Sequence, residues 1–115
     1  MEPTTLRLSV DGCDVAPLWL AESFARRSRG LLGTRSLDGA LLIKPCNSVH
    51  GVGMTYTLDV ALLDAELRVR HVLTLRPFGL TRPRSGIRQV LEAQKGAFDA
   101  WGLRPGSRLG MIKTG

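Results

Sequence analysis

Two apolar segments on either side of a short polar connection restrict the fold of this chain more than any other feature. The segments read LDVALL (58–63) and LRVRHVLTL (67–75), and the connection is Asp64-Ala65-Glu66. The second segment alternates between apolar and charged positions, which is typical of a strand with one solvated face. The first is apolar on both faces and is expected to be covered on both sides. Together they predict an antiparallel hairpin.

The remaining sequence contains further strand patterns and two helix patterns. Strands are expected in TLRLSV, CDVAPLWLA, GALLIKP, IRQVLEAQ and the last residues, and an Asp-Gly turn joins the first two. NSVHGVGM is expected to be a further element that its glycines make irregular. One main helix is expected at about 22–32 and a short helical turn at about 95–102. The pattern predicts a β-rich α+β fold, with about seven short strands in a partly closed, barrel-like sheet.

Length and composition are those of a folded globular protein. The chain has 115 residues, of which 43% are hydrophobic and 23% charged, and we expect a single domain over residues 1–115. Its apolar runs fall far short of the roughly 20 residues that a membrane-spanning helix needs. The first residues, MEPTTLRLSVDG, lack the apolar stretch of a secretory signal, so a cytoplasmic location is expected.

The net charge of +6 favours an anionic partner such as nucleic acid, phosphate or an acidic membrane surface. Thirteen of the sixteen cations are arginines, and the codon bias of a GC-rich genome is an alternative explanation for them. Aromatic residues make up only 5% of the chain, which leaves little material for stacking on bases and argues against nucleic acid. The arginine-rich loop at 76–86 is the best candidate contact surface.

The cysteines and histidines do not form a recognisable metal-binding pattern. Cys13 and Cys46 are the only cysteines, and without an export signal we expect both to be free thiols. Cys46 and His50 have C-x-x-x-H spacing, but further ligands would have to come from distant positions such as Asp59 or His71. We therefore predict neither a metal nor a cofactor.

The main candidate site lies within PCNSVHGVGMTYTLDVALLD, which contains His50 and Asp59. Asp59 follows the first residue of an apolar strand, and a buried carboxylate needs a hydrogen-bonded partner or takes up a proton. The candidate partners are His50, Arg29 and the backbone N–H groups of residues 51–53. A chain reversal centred on residues 54 and 55 would place His50 opposite Asp59.

Two interpretations of this pair remain open. In the first, Asp59 orients His50, which acts as a base or hydrogen-bond donor towards a ligand, with Cys46 or Ser48 as a nearby nucleophile. In the second, the two side chains pin an irregular loop to the core. The sequence contains no G-x-S-x-G motif, so the catalytic signal is weak.

Three further charged residues have alternative roles. Arg29 and Arg35 flank GLLGT and either hold a carboxylate or phosphate of a ligand or tie the helix end to Asp59 or Glu92. Glu92 has apolar neighbours and is either a partly buried acid that needs a cation or an edge residue with its carboxylate in water. Trp19 and Trp101 are either core aromatics or the walls of one pocket.

Four short motifs occur in a characteristic order and spacing. They are RGLLG at 29–33, the block from His50 to Met54, Asp59 near the start of an apolar strand, and VLE at 90–92 followed by Gly96. Over about residues 17–112 this pattern resembles a prokaryotic family, domain of unknown function number one hundred and ninety-two. The resemblance implies a compact β-rich domain and no particular activity, and some similar proteins carry export signals.

The chain departs from that family pattern directly after Met54. Similar sequences tend to have a cation and then a proline there, where this chain has Thr55 and Thr57. If the cation holds an anionic ligand in similar proteins, the resemblance implies a weaker hold in this one.

The residues together predict a small binding or accessory domain for a small polar or anionic ligand. The expected cleft is formed by the loop at 46–55, Asp59 and the end of the first helix. Its candidate ligand-binding residues are Arg29, Arg35, Cys46, Ser48, His50, Met54, Asp59 and Glu92. The alternatives are a small hydrolase or transferase that uses the His50–Asp59 pair, and a basic module that docks on a polyanion.

Overall fold

The computed structural model describes residues 3–22, 37–51 and 54–114, and within them the chain forms seven strands and one short helix. The elements are β1 (Leu6–Val10), β2 (Cys13–Ala21), β3 (Ala40–Ile43), β4 (Leu58–Leu63), β5 (Val69–Leu75), β6 (Gln89–Gln94), α1 (Ala97–Trp101) and β7 (Leu109–Lys113). This confirms the predicted β-rich α+β fold and the short helical turn near residue 100. The main helix predicted at about 22–32 lies almost wholly outside the described residues.

All seven strands belong to one sheet, in the order β5-β4-β6-β3-β2-β1-β7. Neighbouring strands are antiparallel except for β2 and β3, which are parallel. The two edge strands meet at one end, where Arg68 forms an isolated bridge with Arg108 and the Val69 N–H donates to the Ser107 carbonyl over 2.9 Å. The sheet therefore curves until its edges touch at one end, without closing into a continuous barrel.

Both hairpins predicted from alternation are present. In the β1–β2 turn Asp11 and Gly12 have φ values of 50° and 87°, the two positive φ angles that a type I′ turn requires. In the β4–β5 turn the buried Asp64 carboxylate accepts hydrogen bonds from the backbone N–H groups of Glu66 and Arg68, each over 3.0 Å. The turn residues therefore satisfy their own polar groups and fix the pairing of the strands.

The sheet has an apolar core on each of its faces, because successive side chains of a strand point to opposite sides. On one side, which we call the helix face, Phe98 of α1 packs among Leu8, Leu18, Leu42, Leu63 and Leu91. On the other side, which we call the loop face, Cys46, Val49, Met54 and Tyr56 pack against Leu41, Ile43, Leu58, Val60, Leu62 and Val90. The central strands are covered on both sides, as the apolar run in β4 predicted.

Candidate functional site

Asp59 lies on the helix face of the sheet. Its Oδ2 atom accepts hydrogen bonds from the backbone N–H groups of Gly96, over 3.0 Å, and Phe98, over 3.1 Å. Gly96 is the N-cap residue directly before α1, and it has no side chain to cap the helix. The half-buried carboxylate of Asp59 supplies that cap from a neighbouring strand.

The observed donors to Asp59 belong to the start of α1 and were not among its predicted partners. Those partners were His50, Arg29 and the N–H groups of residues 51–53, of which Arg29 and residues 52 and 53 lie outside the described residues. His50 and Asp59, which a chain reversal was expected to pair, are not paired with each other. His50 instead forms an isolated bridge with Leu80, and Asp59 pairs with Thr74 and Ala93 in the sheet.

The segment that contains the other candidates runs along the loop face. The Cys46 thiol donates to the Ser48 carbonyl over 3.0 Å, and Met54 is buried. His50 is exposed near the end of this segment. The structure therefore gathers Cys46, Ser48, His50 and Met54 in one region, and it does not join them to Asp59.

A threonine that the sequence gave no reason to single out anchors this segment. The Val49 N–H donates to Oγ1 of the buried Thr81 over 2.9 Å, and the Thr81 N–H donates to the Val49 carbonyl over 2.8 Å. These bonds tie the segment to the loop after β5. No local pattern around a threonine reveals a contact with a residue 32 positions away.

Glu92 occupies the centre of the loop face. Cross-strand pairing places it in a row that reads Leu73, Val60, Glu92, Leu41 and Trp19 from β5 to β2. The residue is 4% exposed, although it is an acid in an otherwise apolar row. Burial raises the pKa of its carboxyl from 4.5 to about 7, because the charged form loses its hydration.

Asp64 shows how this chain satisfies a buried acid elsewhere. Burial raises the pKa of Asp64, but the N–H groups of Arg68 and Glu66 and the Arg70 guanidinium outweigh that effect and hold the pKa below its ordinary value. The Arg70 guanidinium lies 2.9 Å from the carboxylate. Within the described parts of the chain Glu92 accepts no comparable hydrogen bond, and it is buried on a central strand of the sheet.

Two aromatic side chains lie on the same face of the sheet as Glu92. Trp19 and Tyr56 are both half-buried against the loop face. Gly39 leaves room for the indole, since a Cβ atom there would lie 2.8 Å from Cζ3 of Trp19. Trp101 packs with Phe98 on the helix face, with ring centroids 6.0 Å apart, so the two tryptophans do not line one pocket.

The remaining predictions concern charge and metals. Arg29 and Arg35 lie outside the described residues. Cys13 and Cys46 are not in a disulfide, and Cys13 is exposed while Cys46 is half-buried. Among residues 3–22, 37–51 and 54–114, no group of three His, Cys, Asp or Glu side chains has the proximity of a metal site. None of the helices in these ranges has the length and apolar character needed to cross a membrane.

Sequence comparison identifies relatives over most of the chain. A family model named DUF192 and described as Uncharacterized ACR matches residues 7–111. A UPF0127 protein of Pyrococcus horikoshii is 32% identical over 82 residues, which cover 67% of this chain and 71% of the relative.

Two solved structures share the fold. A candidate transcription regulator from Sinorhizobium meliloti superposes with a TM-score of 0.79 at 21% identity, and the match covers 96% of this chain and 98% of that one. A protein of unknown function from Novosphingobium aromaticivorans gives a TM-score of 0.76 at 19% identity, over 91% of this chain and 82% of that one. At these identities the likeness concerns the fold alone.

Proposed function

This chain belongs to the DUF192 family, as its motifs predicted, and we propose that it is a small-molecule-binding domain whose site surrounds Glu92 on the loop face. One observation carries the proposal. Glu92 is buried at the centre of an apolar row, and no hydrogen bond reaches its carboxyl from the described residues. No fully buried side-chain nitrogen or oxygen of the described residues lacks a hydrogen-bond partner, so the Glu92 carboxyl keeps a narrow contact with solvent. A carboxyl that is largely withdrawn from water and has no hydrogen-bond donor beside it still has a cost in stability that calls for an explanation.

Stability gives no reason to keep an acid at this position. Leu41 and Val60 are its direct neighbours in the sheet, and a leucine between them would bury its side chain without that cost. Residues that lower stability without a structural gain are found where function requires them. The aromatic rings of Trp19 and Tyr56 and the segment at 46–51 border the same region, as is typical of sites with few polar groups and apolar walls.

The chemistry of Glu92 favours one class of ligand. A carboxyl with a pKa of about 7 is present in both protonation states near neutral pH. An ammonium group would stabilise the charged state through a charge-assisted hydrogen bond, whereas an anion would be repelled by it. We therefore favour a small polar ligand with an amino group over the anionic ligand that the sequence had left open.

The position of Asp59 supports binding over catalysis. The hydrolase or transferase alternative requires a carboxylate to orient His50. Asp59 instead caps α1 on the helix face, while Cys46, Val49 and Met54 pack on the loop face. The catalytic alternative thus loses the orienting carboxylate on which it was based.

The test uses ethanolamine as the probe, with acetate and glycerol as matched anionic and neutral controls. We expect ethanolamine to raise the melting temperature in a saturable way and to lower the pKa of Glu92, followed through its side-chain carbon resonance by NMR. The response should disappear in Glu92→Leu and persist in Asp59→Asn, which alters the opposite face. An equal response in Glu92→Leu, or a response to acetate alone, would refute this assignment of the site.

A further inference from the structure

The loop at 76–86, which we call the arginine loop, exposes two large apolar side chains. Phe78 is 75% exposed and Leu80 is 70% exposed. The next most exposed large apolar residues among those described are Met111, at 40%, and Ile112, at 37%. Single exposed apolar residues are common, but two within three positions at a turn form a patch that suits a partner surface.

The backbone holds this patch in an outward conformation. The Phe78 N–H donates to the Gly51 carbonyl over 2.8 Å, and the Gly79 N–H donates to the Arg76 carbonyl over 2.8 Å. Phe78 has φ of 64°, in the left-handed region that bulky residues rarely adopt. Three tight backbone bonds, including Gly51 N–H to the Gly79 carbonyl over 2.7 Å, maintain this conformation. The exposure of Phe78 is therefore a fixed property of the turn.

The surrounding charge is of one sign. Residues 67–91 contain six arginines and no aspartate or glutamate. Arg76 and Arg82 flank the two apolar residues and are exposed, and Arg84 and Arg88 follow. In the described parts of the chain no carboxylate forms an ion pair with any of these four, whereas Arg7 and Arg70 each have one.

We propose that the arginine loop docks on the surface of an anionic phospholipid membrane. Phe78 and Leu80 enter the boundary between headgroups and acyl chains, and the arginines bind lipid phosphates. Amphipathic surfaces with this division of apolar and basic groups bind anionic bilayers through buried apolar area and charge attraction together. Nucleic acid fits the loop less well, because Leu80 cannot stack on bases and Phe78 is the only ring in the loop. This proposal is independent of the site at Glu92.

The experiment is co-sedimentation of the full chain with vesicles. Vesicles of phosphatidylcholine with about one quarter phosphatidylglycerol should bind the protein, and pure phosphatidylcholine vesicles should bind it far more weakly. The double variant F78S/L80S should weaken binding by about tenfold or more. The variant R76Q/R82Q should weaken it by about 25-fold, at about fivefold for each charge.

Two control variants test whether vesicle binding depends on the arginine loop in particular. M111S/I112S removes the exposed apolar pair of β7, and Arg104→Gln removes an exposed charge on another turn; both should bind as the unaltered protein does. Circular dichroism confirms that each variant is folded. Absence of binding to anionic vesicles, equal binding to both vesicle types, or unchanged binding by F78S/L80S would overturn the proposal. Binding of a DNA duplex through the loop without vesicle binding would also overturn it.

Discussion

Replacement of Glu92 by glutamine gives the sharpest test of the buried acid. Burial raises the Glu92 pKa from 4.5 to about 7, so the native state holds this proton more tightly than the unfolded chain does. The stabilisation is fully present below about pH 4.5 and is lost as the pH rises through about 7. At about 1.4 kcal/mol for each pKa unit, the native state loses about 3 kcal/mol across this range through Glu92 alone.

Glu92→Gln removes this titration and keeps the size and polarity of the side chain. The free energy of unfolding of the variant, minus that of the unaltered protein, should therefore increase by about 3 kcal/mol between pH 4.5 and about pH 8.5. Other acids, such as Asp11 and Asp64, titrate in both proteins and cancel in the difference. Urea unfolding followed by tryptophan fluorescence at several pH values measures both free energies.

One result would refute the reasoning about Glu92. If the difference between the two free energies is flat over the whole pH range, the carboxyl ionises as easily in the native state as in the unfolded one. It would then be well hydrated or paired in the folded protein, and the argument for a desolvated carboxyl on the loop face would fail.

Two further substitutions test the contacts around the site. Asp59→Ala should lower the free energy of unfolding by about 1–2 kcal/mol in a urea titration, because the start of α1 loses its cap. The ethanolamine response should stay intact, and its loss in a folded variant would contradict the placement of Asp59. Gly51→Ala should be destabilising by about 2 kcal/mol, because the new Cβ would overlap the Arg76 carbonyl oxygen. In the control, Gly86→Ala, the new Cβ meets open space, so this variant should show only the cost of a positive φ, about 1 kcal/mol. An equal loss of unfolding free energy in the two variants would argue against the overlap at Gly51.

The hairpins could be predicted because their signals are local. Alternation in residues 67–75 predicts the strand β5, and Asp11-Gly12 supplies the positive φ angles of a tight turn. The short helix α1 is also signalled locally, with Gly96 and Gly102 at its two ends. These features depend on residues a few positions apart.

The candidate site could be predicted only in part, because its contacts join distant segments. The reversal proposed between His50 and Asp59 used their equal separation from residues 54 and 55. The actual partners of these two residues, Leu80 and the start of α1, lie 30 or more positions away. Glu92 was ambiguous because polar and apolar residues do not alternate in β6, whose two faces are both buried.

The cap that Asp59 provides to α1 also controls how β4 aligns with its neighbours. Sliding this strand by one residue would exchange its two faces, and the carboxylate would leave the Gly96 and Phe98 amides for the opposite side. Because β4 is otherwise almost uniformly aliphatic, its remaining side chains penalise such a slip only weakly. Asp59 thus favours one alignment of the strand during folding, because every shift by one residue would lose its two hydrogen bonds to the start of α1.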